Sequence, residues 1–299
     1  METLIGSANS LPTLAVGVAA ESRREEEAGL FAGRYQLRRV LGRGGMGTVY
    51  LADDEFQGER VALKVLDASV ARNPGARERF AREARLARRI THRNVARVFE
   101  LGSAQGRAFL TLEYVEGEDL RARLMREGAL KPEVAARLAL AVCAGLGAAH
   151  AASVVHRDLK PANVMLERGG RVVLTDFGIA RAMEDQGSEG LTHSHGVVGT
   201  PQYMAPEQLT ESPVDARTDV YAVGLLLHEM LVGAPAFEAT TLKEAYARLR
   251  QPPPDPREHA RVPAALAELV MRCLARAPEE RPSGATEVAR CLEAWLAQC

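Results

Sequence analysis

The chain has 299 residues, of which 46% are hydrophobic and 26% charged, and this excludes the composition typical of disordered proteins. Its 38 basic and 39 acidic residues give a formal charge of −1, so the basic excess that favours nucleic acid or an anionic membrane is absent. At roughly 150 residues per domain, the length predicts about two domains.

Cysteine usage and hydropathy indicate the compartment. Cys143, Cys273, Cys291 and Cys299 are not spaced like the ligands of a zinc site or the pair of a redox motif. No apolar run reaches the roughly 18 residues of a membrane span, and no positive charge precedes the apolar stretch 11–20, as a signal peptide requires. We therefore expect a cytoplasmic protein without a membrane span.

Short strands dominate the first third of the chain. Residues 1–33 are predicted to be a flexible tail, because the charge run 21–28 has no apolar stripe. From Arg34 onward, alternating patterns and glycine-bearing turns predict an antiparallel meander, followed by one amphipathic helix and two further strands. The predicted strands are 35–41, 48–53, 60–66, 95–101 and 107–114, and the predicted helix is 75–90.

Helices dominate the remainder of the chain. The predicted helices are 132–152, 218–231, 242–249, 264–275 and 286–297, and the first two are apolar enough to be core helices. Strands followed by helices predict an α+β protein with two lobes.

The first chemical motif is a glycine-rich turn in the segment LGRGGMGTVY, residues 41–50. Gly42, Gly44 and Gly47 fit the spacing G-x-G-x-x-G, which lets main-chain N–H groups approach phosphates closely. A strand and not a helix follows, so the turn does not fit a dinucleotide-binding fold. A tight hairpin that binds nothing remains an alternative.

Lysine is rare in this chain, with four lysines among its 38 basic residues. Two of the four, Lys64 and Lys160, lie in the motifs that carry the chemistry, where a compact ammonium can be preferred to a guanidinium. Lys64 lies in the strand sequence VALK, and Glu83 in the following helix is the candidate carboxylate partner. An ordinary surface lysine is the alternative interpretation.

Two later segments supply further polar groups. The loop VVHRDLKPANVML, residues 154–166, carries Asp158, Lys160 and Asn163, and VVLTDFGIA, residues 172–180, carries Asp176. Asn163 and Asp176 offer the oxygen ligands that Mg²⁺ prefers. Asp158 is suited to deprotonating an attacking hydroxyl, and Lys160 to neutralising a transferred phosphoryl group.

At these residues the chain resembles the eukaryotic-type protein kinase family, in its bacterial serine/threonine branch. The glycine-rich loop, the VALK lysine, HRDLKPAN, DFG and APE at residues 205–207 occur in the family's order. The resemblance implies a bilobal kinase fold with a small antiparallel-sheet N-lobe carrying one helix, about 34–113. A hinge at about 113–117 and a larger, mostly helical C-lobe at about 118–299 would follow.

The resemblance also assigns roles to individual residues. Lys64 would hold the α- and β-phosphates of ATP and pair with Glu83, Asp158 would be the catalytic base, and Lys160 and Thr200 would complete the catalytic group. Asn163 and Asp176 would hold Mg²⁺, with Mn²⁺ as a further possibility. The implied ATP-binding residues are Leu41, Gly42, Arg43, Gly44, Gly45, Met46, Gly47, Thr48, Val49, Ala62, Lys64, Leu112, Glu113, Val115 and Met165.

Other implied roles concern specificity and architecture. Lys160 followed by Pro161, together with Thr200, resembles the branch that phosphorylates serine and threonine. Glu207 would pair with Arg281, and Asp219 would brace the catalytic loop. The resemblance therefore implies protein substrates, in bacterial-type signalling.

Regulation is expected in the segment between Asp176 and Glu207. Arg157 precedes the catalytic aspartate, and in similar kinases such an arginine binds a phosphate on this segment. We expect autophosphorylation of Thr192, then Ser194, through a transient homodimer; unmodified polar loop residues are the alternative. His193 and His195 have no third ligand nearby, so a mobile loop is favoured over a metal site.

Two other function classes are weaker candidates. A pseudokinase would have lost Lys64, Asp158 or Asp176, and all three are present. A small-molecule kinase usually lacks the segment resembling GTPQYMAPE, residues 199–207, which is also present. Similar bacterial kinases often continue into a membrane span and a sensor, so the chain is expected to be either a free-standing kinase or a fragment.

Overall fold

The computed structural model describes residues 29–44, 47–67, 74–177, 201–210, 212–239 and 241–299. The first part of the chain forms a five-stranded antiparallel sheet in the order β1-β2-β3-β5-β4. This confirms the predicted meander and adds the last two strands to the same sheet. The strands are β1 (Tyr35–Gly44), β2 (Gly47–Asp54), β3 (Glu59–Leu66), β4 (Val98–Ala104) and β5 (Arg107–Glu113).

The two faces of this sheet pack differently. Val61 and Leu63 are buried on one face, whereas Leu66 is buried on the other against helix α1 (Pro74–Ala87), which confirms the predicted helix. Because successive residues of a strand point to opposite faces, Lys64 lies on the face that α1 covers. The strand pattern therefore directs a cationic side chain into the space between the sheet and the remainder of the protein.

The ordered domain begins before the predicted boundary. Phe31 is only 6% exposed, and its ring packs edge-on against Phe109 with the ring centroids 5.4 Å apart. Its main-chain N–H donates to the carbonyl of Tyr35. The prediction of a flexible tail through residue 33 is therefore wrong at Phe31, because one apolar residue in a polar stretch produces no periodic signal. Residues 1–28 of the predicted tail lie outside the described residues.

The second part of the chain is mostly helical and contains a small antiparallel sheet in the order β6-β7-β8. Its largest core joins residues of α3, α5, α7 and α8. The α+β architecture with two lobes is thus confirmed. The elements are β6 (Gly117–Asp119), α2 (Leu120–Glu127), α3 (Pro132–Ala151), β7 (Val164–Glu167), β8 (Val172–Leu174), α4 (Pro206–Leu209), α5 (Ala216–Val232), α6 (Leu242–Arg248), α7 (Ala264–Cys273) and α8 (Ala285–Leu296).

Helix α2 was not predicted, although the sequence contains both of its end signals. The carboxylate of Asp119 accepts a hydrogen bond from the N–H of Ala122 at 2.8 Å, which caps the first turn. Gly128 ends the helix with φ = +69°. Only Leu120 and Leu124 are buried, so the apolar stripe is too short to distinguish this helix from a polar loop.

Helix α3 is the one helix among the described residues that is long and apolar enough to cross a membrane by length and composition alone. It lies in the core, where it packs against α5, α8 and β8. Burial against these neighbours accounts for its apolar sequence, as expected of a core helix.

A buried histidine in α5 makes stability depend on pH. His228 is buried, and neither ring nitrogen forms a hydrogen bond of normal geometry with the described residues. Burial lowers the pKa of His228 and nearby His259 acts in the same direction, whereas the main chain of Ala234 and the carboxylate of Asp255 oppose the shift. Because the folded-state pKa lies below the unfolded value, protonation of this histidine opposes folding, and stability is lost as the pH falls below about 6.5.

We expect His228→Leu to reduce the loss of stability between pH 7 and pH 5. The variant has no imidazole to protonate. As the pH falls, its free energy of unfolding should therefore decrease by up to about 1.4 kcal/mol less per pH unit than that of the parent protein. Urea unfolding at both pH values measures the difference. His259→Gln, which removes one of the two causes that lower the pKa of His228, should reduce this loss of stability less than His228→Leu does. Parallel pH profiles for the parent protein and His228→Leu would contradict this prediction.

Candidate active site

The glycine-rich turn connects β1 and β2, with Gly44 paired to Gly47 and residues 45 and 46 outside the described residues. A Cβ atom on Gly47 would lie 2.1 Å from the carbonyl oxygen of Val65, so close packing on β3 requires glycine there. At Gly42 and Gly44 an added Cβ would meet no atom within 4 Å. Packing within the described residues therefore explains Gly47 but not the other two glycines, whose absent side chains leave the main chain accessible.

Lys64 forms an ion pair with Asp176, the aspartate of the predicted DFG motif. The Lys64 Nζ donates to Asp176 Oδ1 at 2.6 Å, and the lysine side chain is 14% exposed, against 40% for the aspartate. The positive charge of Lys64 is the main cause that holds the pKa of Asp176 below its ordinary value, and Lys160 and His156 act in the same direction. Asp176 is therefore a carboxylate anion at neutral pH.

The expected ion pair between Lys64 and Glu83 is not formed, and this corrects the sequence interpretation. Glu83 is paired with its neighbour Arg82 at 3.9 Å, while Lys64 uses Asp176. The strand pattern places Lys64 on the correct face, but sequence spacing does not show which of two carboxylates lies nearer to one ammonium.

We expect Lys64→Arg to lower kcat/KM by about 100-fold, as ~1 Å misplacements at an active site do. The charge is retained, but a planar guanidinium does not fit where a compact ammonium contacts Asp176. Lys131→Arg is the matched control, because Lys131 is exposed before α3. Steady-state kinetics and thermal unfolding of both variants test this. Full activity of Lys64→Arg would mean that the rarity of lysine carries no functional information.

Asp158 is the centre of a group of hydrogen bonds in the loop before β7. Lys160 Nζ donates to Asp158 Oδ2 at 2.7 Å. The amide nitrogen of Asn163 donates to the same oxygen at 3.1 Å and to the Asp158 carbonyl at 2.7 Å. These contacts fix the orientation of the carboxylate, and its side chain stays partly accessible at the surface of the cleft.

The Asp158 group and the Lys64–Asp176 pair are joined through Thr175. Its main-chain N–H donates to the carbonyl of Asn163 at 3.0 Å, so the residue before Asp176 is fixed to the loop that carries Asp158. The structure thus brings together five predicted residues in one cleft, namely Lys64, Asp158, Lys160, Asn163 and Asp176.

A buried carboxylate on α5 binds the main chain of the same loop. Asp219 accepts hydrogen bonds from the main-chain N–H groups of His156 at 2.8 Å and Arg157 at 2.9 Å. His150 Nε2 lies 2.7 Å from its Oδ2. These contacts confirm that Asp219 braces the loop, and they add His150, which sequence analysis did not identify.

Two residues of the cleft have left-handed main-chain conformations. Arg157 has φ = +64° and Asp176 has φ = +53°. Non-glycine residues seldom adopt these angles, and such strain is concentrated at functional sites. Asp219 accepts the main-chain N–H of Arg157, and Lys64 donates to the Asp176 carboxylate, so at least one hydrogen bond holds each residue.

The predicted nucleotide-binding side chains lie on both lobes. Ala62 and Leu112 are paired between β3 and β5, and Val115 forms an apolar cluster to which Met165 adds. The N–H of Glu113 already donates to the carbonyl of Arg97 at 2.8 Å, so only its carbonyl can be offered to a ligand.

A third group of residues ties helix α4 to the rest of the C-lobe. Arg281 forms a bidentate ion pair with Glu207, both bonds 2.8 Å, which confirms that predicted pair. Gln208, missed by sequence analysis, accepts from the N–H of Ala205 and donates to the carbonyl of Arg157 at 2.9 Å. The sequence signal for the bond to Ala205 was a glutamine at the third position of a helix that begins with proline, since such a side chain can reach back to the main chain before the helix.

Several predicted residues lie outside the described residues. They are Gly45 and Met46 of the glycine-rich turn, Thr200, and the candidate phosphorylation sites Thr192 and Ser194.

The model of the protein kinase domain family matches residues 35–294. The chain belongs to this family. The crystal structure of the PknI kinase domain of Mycobacterium tuberculosis is 31% identical with a TM-score of 0.72, and the match covers 88% of this chain and 96% of that one. The kinase fold inferred from the sequence is thereby confirmed.

Curated relatives carry serine/threonine kinase names. A probable serine/threonine-protein kinase PknB of Corynebacterium glutamicum is 37% identical over 270 residues, covering 87% of this chain and 42% of that protein. Serine/threonine-protein kinase PknB of Mycobacterium tuberculosis is 39% identical over 261 residues, covering 85% and 42%. The chain thus spans about two fifths of the length of these relatives.

Proposed function

We propose that the chain is a serine/threonine protein kinase that transfers the γ-phosphoryl group of ATP to hydroxyl groups of proteins. The observation that carries this proposal is the fixed carboxylate of Asp158, held by Lys160 and Asn163 beside the Lys64–Asp176 pair. The names of the relatives support it, as does Pro161 after Lys160.

The chemistry assigns a separate task to each residue. The substrate hydroxyl oxygen forms a bond to the γ-phosphorus, the bond from that phosphorus to the ADP oxygen breaks, and Asp158 accepts the hydroxyl proton. Lys160, 2.7 Å from Asp158, balances negative charge beside the transferred group. Lys64 lies on the sheet above this loop, where its ammonium can bind phosphate oxygens.

Asn163 and Asp176 fit a divalent metal ion. The amide nitrogen of Asn163 is used by Asp158, which leaves its amide oxygen as the donor atom, and Asp176 is an accessible carboxylate. No cluster of three or more His, Cys, Asp or Glu side chains occurs among the described residues, and Mg²⁺ on phosphates commonly uses only one or two protein carboxylates. Bound Mg²⁺, or Mn²⁺, would neutralise the charge of the phosphates.

We also infer a cytoplasmic site of action, where ATP is abundant. All four cysteines are free, in agreement with a reducing compartment.

The test is mass spectrometry of the purified protein after incubation with ATP and Mg²⁺, alone and with a cell lysate. Added masses of phosphate on serine or threonine, absent with Asp158→Asn, would support the proposal. Phosphate on tyrosine only, or on small molecules only, would contradict it.

Regulation by autophosphorylation is part of this proposal, with Thr192 and then Ser194 as the sites. Arg157 directly precedes Asp158, its main chain is fixed by Asp219 and Gln208, and a guanidinium binds phosphate in a bidentate manner. A phosphate on the segment between Asp176 and Glu207 would therefore hold that segment against the catalytic loop. Autophosphorylation would occur between two chains in a transient homodimer.

We expect peptide mapping of active protein to find phosphate on Thr192 or Ser194, and the double change to alanine to lower activity at least about tenfold. Thr210→Ala, which removes a hydroxyl directly after helix α4, is the control. Full activity of the double variant, or active enzyme unmodified at both residues, would overturn this mechanism.

A further inference from the structure

The guanidinium of Arg171 joins three segments behind the cleft. It donates from Nη2 to the carboxylate of Glu113 and, at 2.9 Å, to Oε1 of Glu167. Its Nε donates to Oε2 of Glu167 at 3.2 Å, and Nη1 reaches the carbonyl of Arg93 at 3.5 Å. Arg171 directly precedes β8 in the C-lobe, whereas Glu113 ends β5 in the N-lobe, so the ion pair crosses between the lobes.

Glu113 is held on both its side chain and its main chain. Its Oε2 accepts the main-chain N–H of Arg97 at 3.2 Å, and its own N–H donates to the Arg97 carbonyl at 2.8 Å. The three residues that follow, 114–116, connect the two lobes. The position of the Glu113 carboxylate therefore affects the position of the main chain at the end of β5 and at the start of this connection.

The surroundings of this ion pair make it stronger than an ordinary surface pair. Arg171 and Glu113 are 23% and 25% exposed, and Glu113 is the main cause that raises the pKa of Arg171. In the same turn, Arg168 and Glu116 also form an ion pair at 3.2 Å, but they are 81% and 56% exposed. Exposed pairs of this kind contribute little, whereas a partly buried pair is less screened by solvent.

We propose that Arg171 is a positioning residue for ATP: by holding the Glu113 side chain, it fixes the main-chain carbonyl at the end of β5 that would bind the adenine edge. This inference rests on the proposed function. It differs from the assigned roles of the cleft residues, because Arg171 acts through Glu113 and contacts no reacting atom.

The test measures ATP affinity separately from catalysis. Arg171→Gln should weaken ATP binding in calorimetry and raise KM for ATP by about tenfold, while kcat and the KM for a protein substrate change little. Arg171→Lys keeps the charge but loses the two-bond contact with Glu167, so it should recover part of the affinity. Arg168→Gln, which removes the exposed pair in the same turn, should leave ATP affinity unchanged.

A double variant tests the route through Glu113. If Arg171 acts through this carboxylate, Glu113→Gln/Arg171→Gln should bind ATP no more weakly than the worse single variant. Additive losses, unchanged ATP affinity in Arg171→Gln, or a fall in kcat at unchanged ATP affinity would each overturn the inference. If Arg171→Gln does not fold, Arg171→Lys and Glu113→Gln decide the same question.

The outcomes also separate this inference from the proposed function. A parent protein that binds ATP but phosphorylates no protein would refute the proposed function, and the binding measurements would still test Arg171. A fully active kinase in which Arg171→Gln binds ATP normally would refute only the role of Arg171.

Discussion

Replacing Asp158 by asparagine is expected to lower kcat by about 10²- to 10⁴-fold, the usual contribution of general base catalysis. An amide has the shape of the carboxylate and can still accept the hydrogen bond from Lys160, but it cannot accept a proton. ATP affinity should remain close to that of the parent protein, since the role proposed for Asp158 is at the acceptor hydroxyl and not at the nucleotide. Single-turnover kinetics and calorimetry measure the two quantities separately.

Asp215→Asn is the matched control for this substitution. Asp215 caps helix α5 by accepting the N–H of Arg217 at 2.7 Å, and asparagine caps a helix about as well as aspartate. The control should therefore retain full activity. Near-normal kcat in Asp158→Asn would remove Asp158 from the chemistry, and loss of ATP binding would show that the substitution had damaged the cleft.

Most elements of the fold could be predicted because each depends on a pattern within one segment. The alternation in β3 and the long apolar sequence of α5 are local signals, and both elements form where predicted. Helix α2 and the ordered position of Phe31 were not predicted, because neither gives a pattern within its own segment. Two buried leucines in α2, or one buried aromatic ring, give too few positions to establish a period.

The candidate site could be predicted in its residues but not in all its contacts. Lys64 and Asp176 are 112 residues apart, and no spacing rule shows that they lie within hydrogen-bond distance while Glu83 does not reach Lys64. The contact between Glu113 and Arg171 spans 58 residues and depends on how the two lobes meet. Such contacts are set by tertiary packing, which a motif in one segment does not encode.

Loss of one partner from the buried ion pair between Glu207 and Arg281 should strongly destabilise the C-lobe. The Arg281 side chain has no exposed surface, and its guanidinium makes two bonds to Glu207 and three to main-chain carbonyls, namely those of Ala275, Arg217 and Arg276. Thr218 donates to the same carboxylate at 2.7 Å. Removing the anion would leave a buried cation without a counter-charge, which costs much more than the pair itself contributes.

We therefore expect Glu207→Gln to lower the free energy of unfolding by about 3–5 kcal/mol. At roughly 2–4 °C per kcal/mol for a domain of this size, Tm should fall by about 10 °C. The control is Glu127→Gln, which weakens an exposed pair with Arg123 one turn away in α2 and should change stability by about 0.5 kcal/mol or less. Equal effects of the two substitutions would refute the assignment.

The pH dependence gives this prediction a second, independent test. Burial alone would raise the pKa of Glu207, but hydrogen bonds from Arg281 and Thr218 outweigh burial and hold the pKa below its ordinary value. A lowered carboxyl pKa stabilises the fold above the unfolded value of about 4.3, and this stability is lost as the pH falls through the folded-state pKa. The gap in unfolding free energy between the parent protein and Glu207→Gln should therefore be largest near pH 7 and shrink below about pH 4. A gap that stayed constant across this range would show that Glu207 stabilises the C-lobe by its shape and not by its charge.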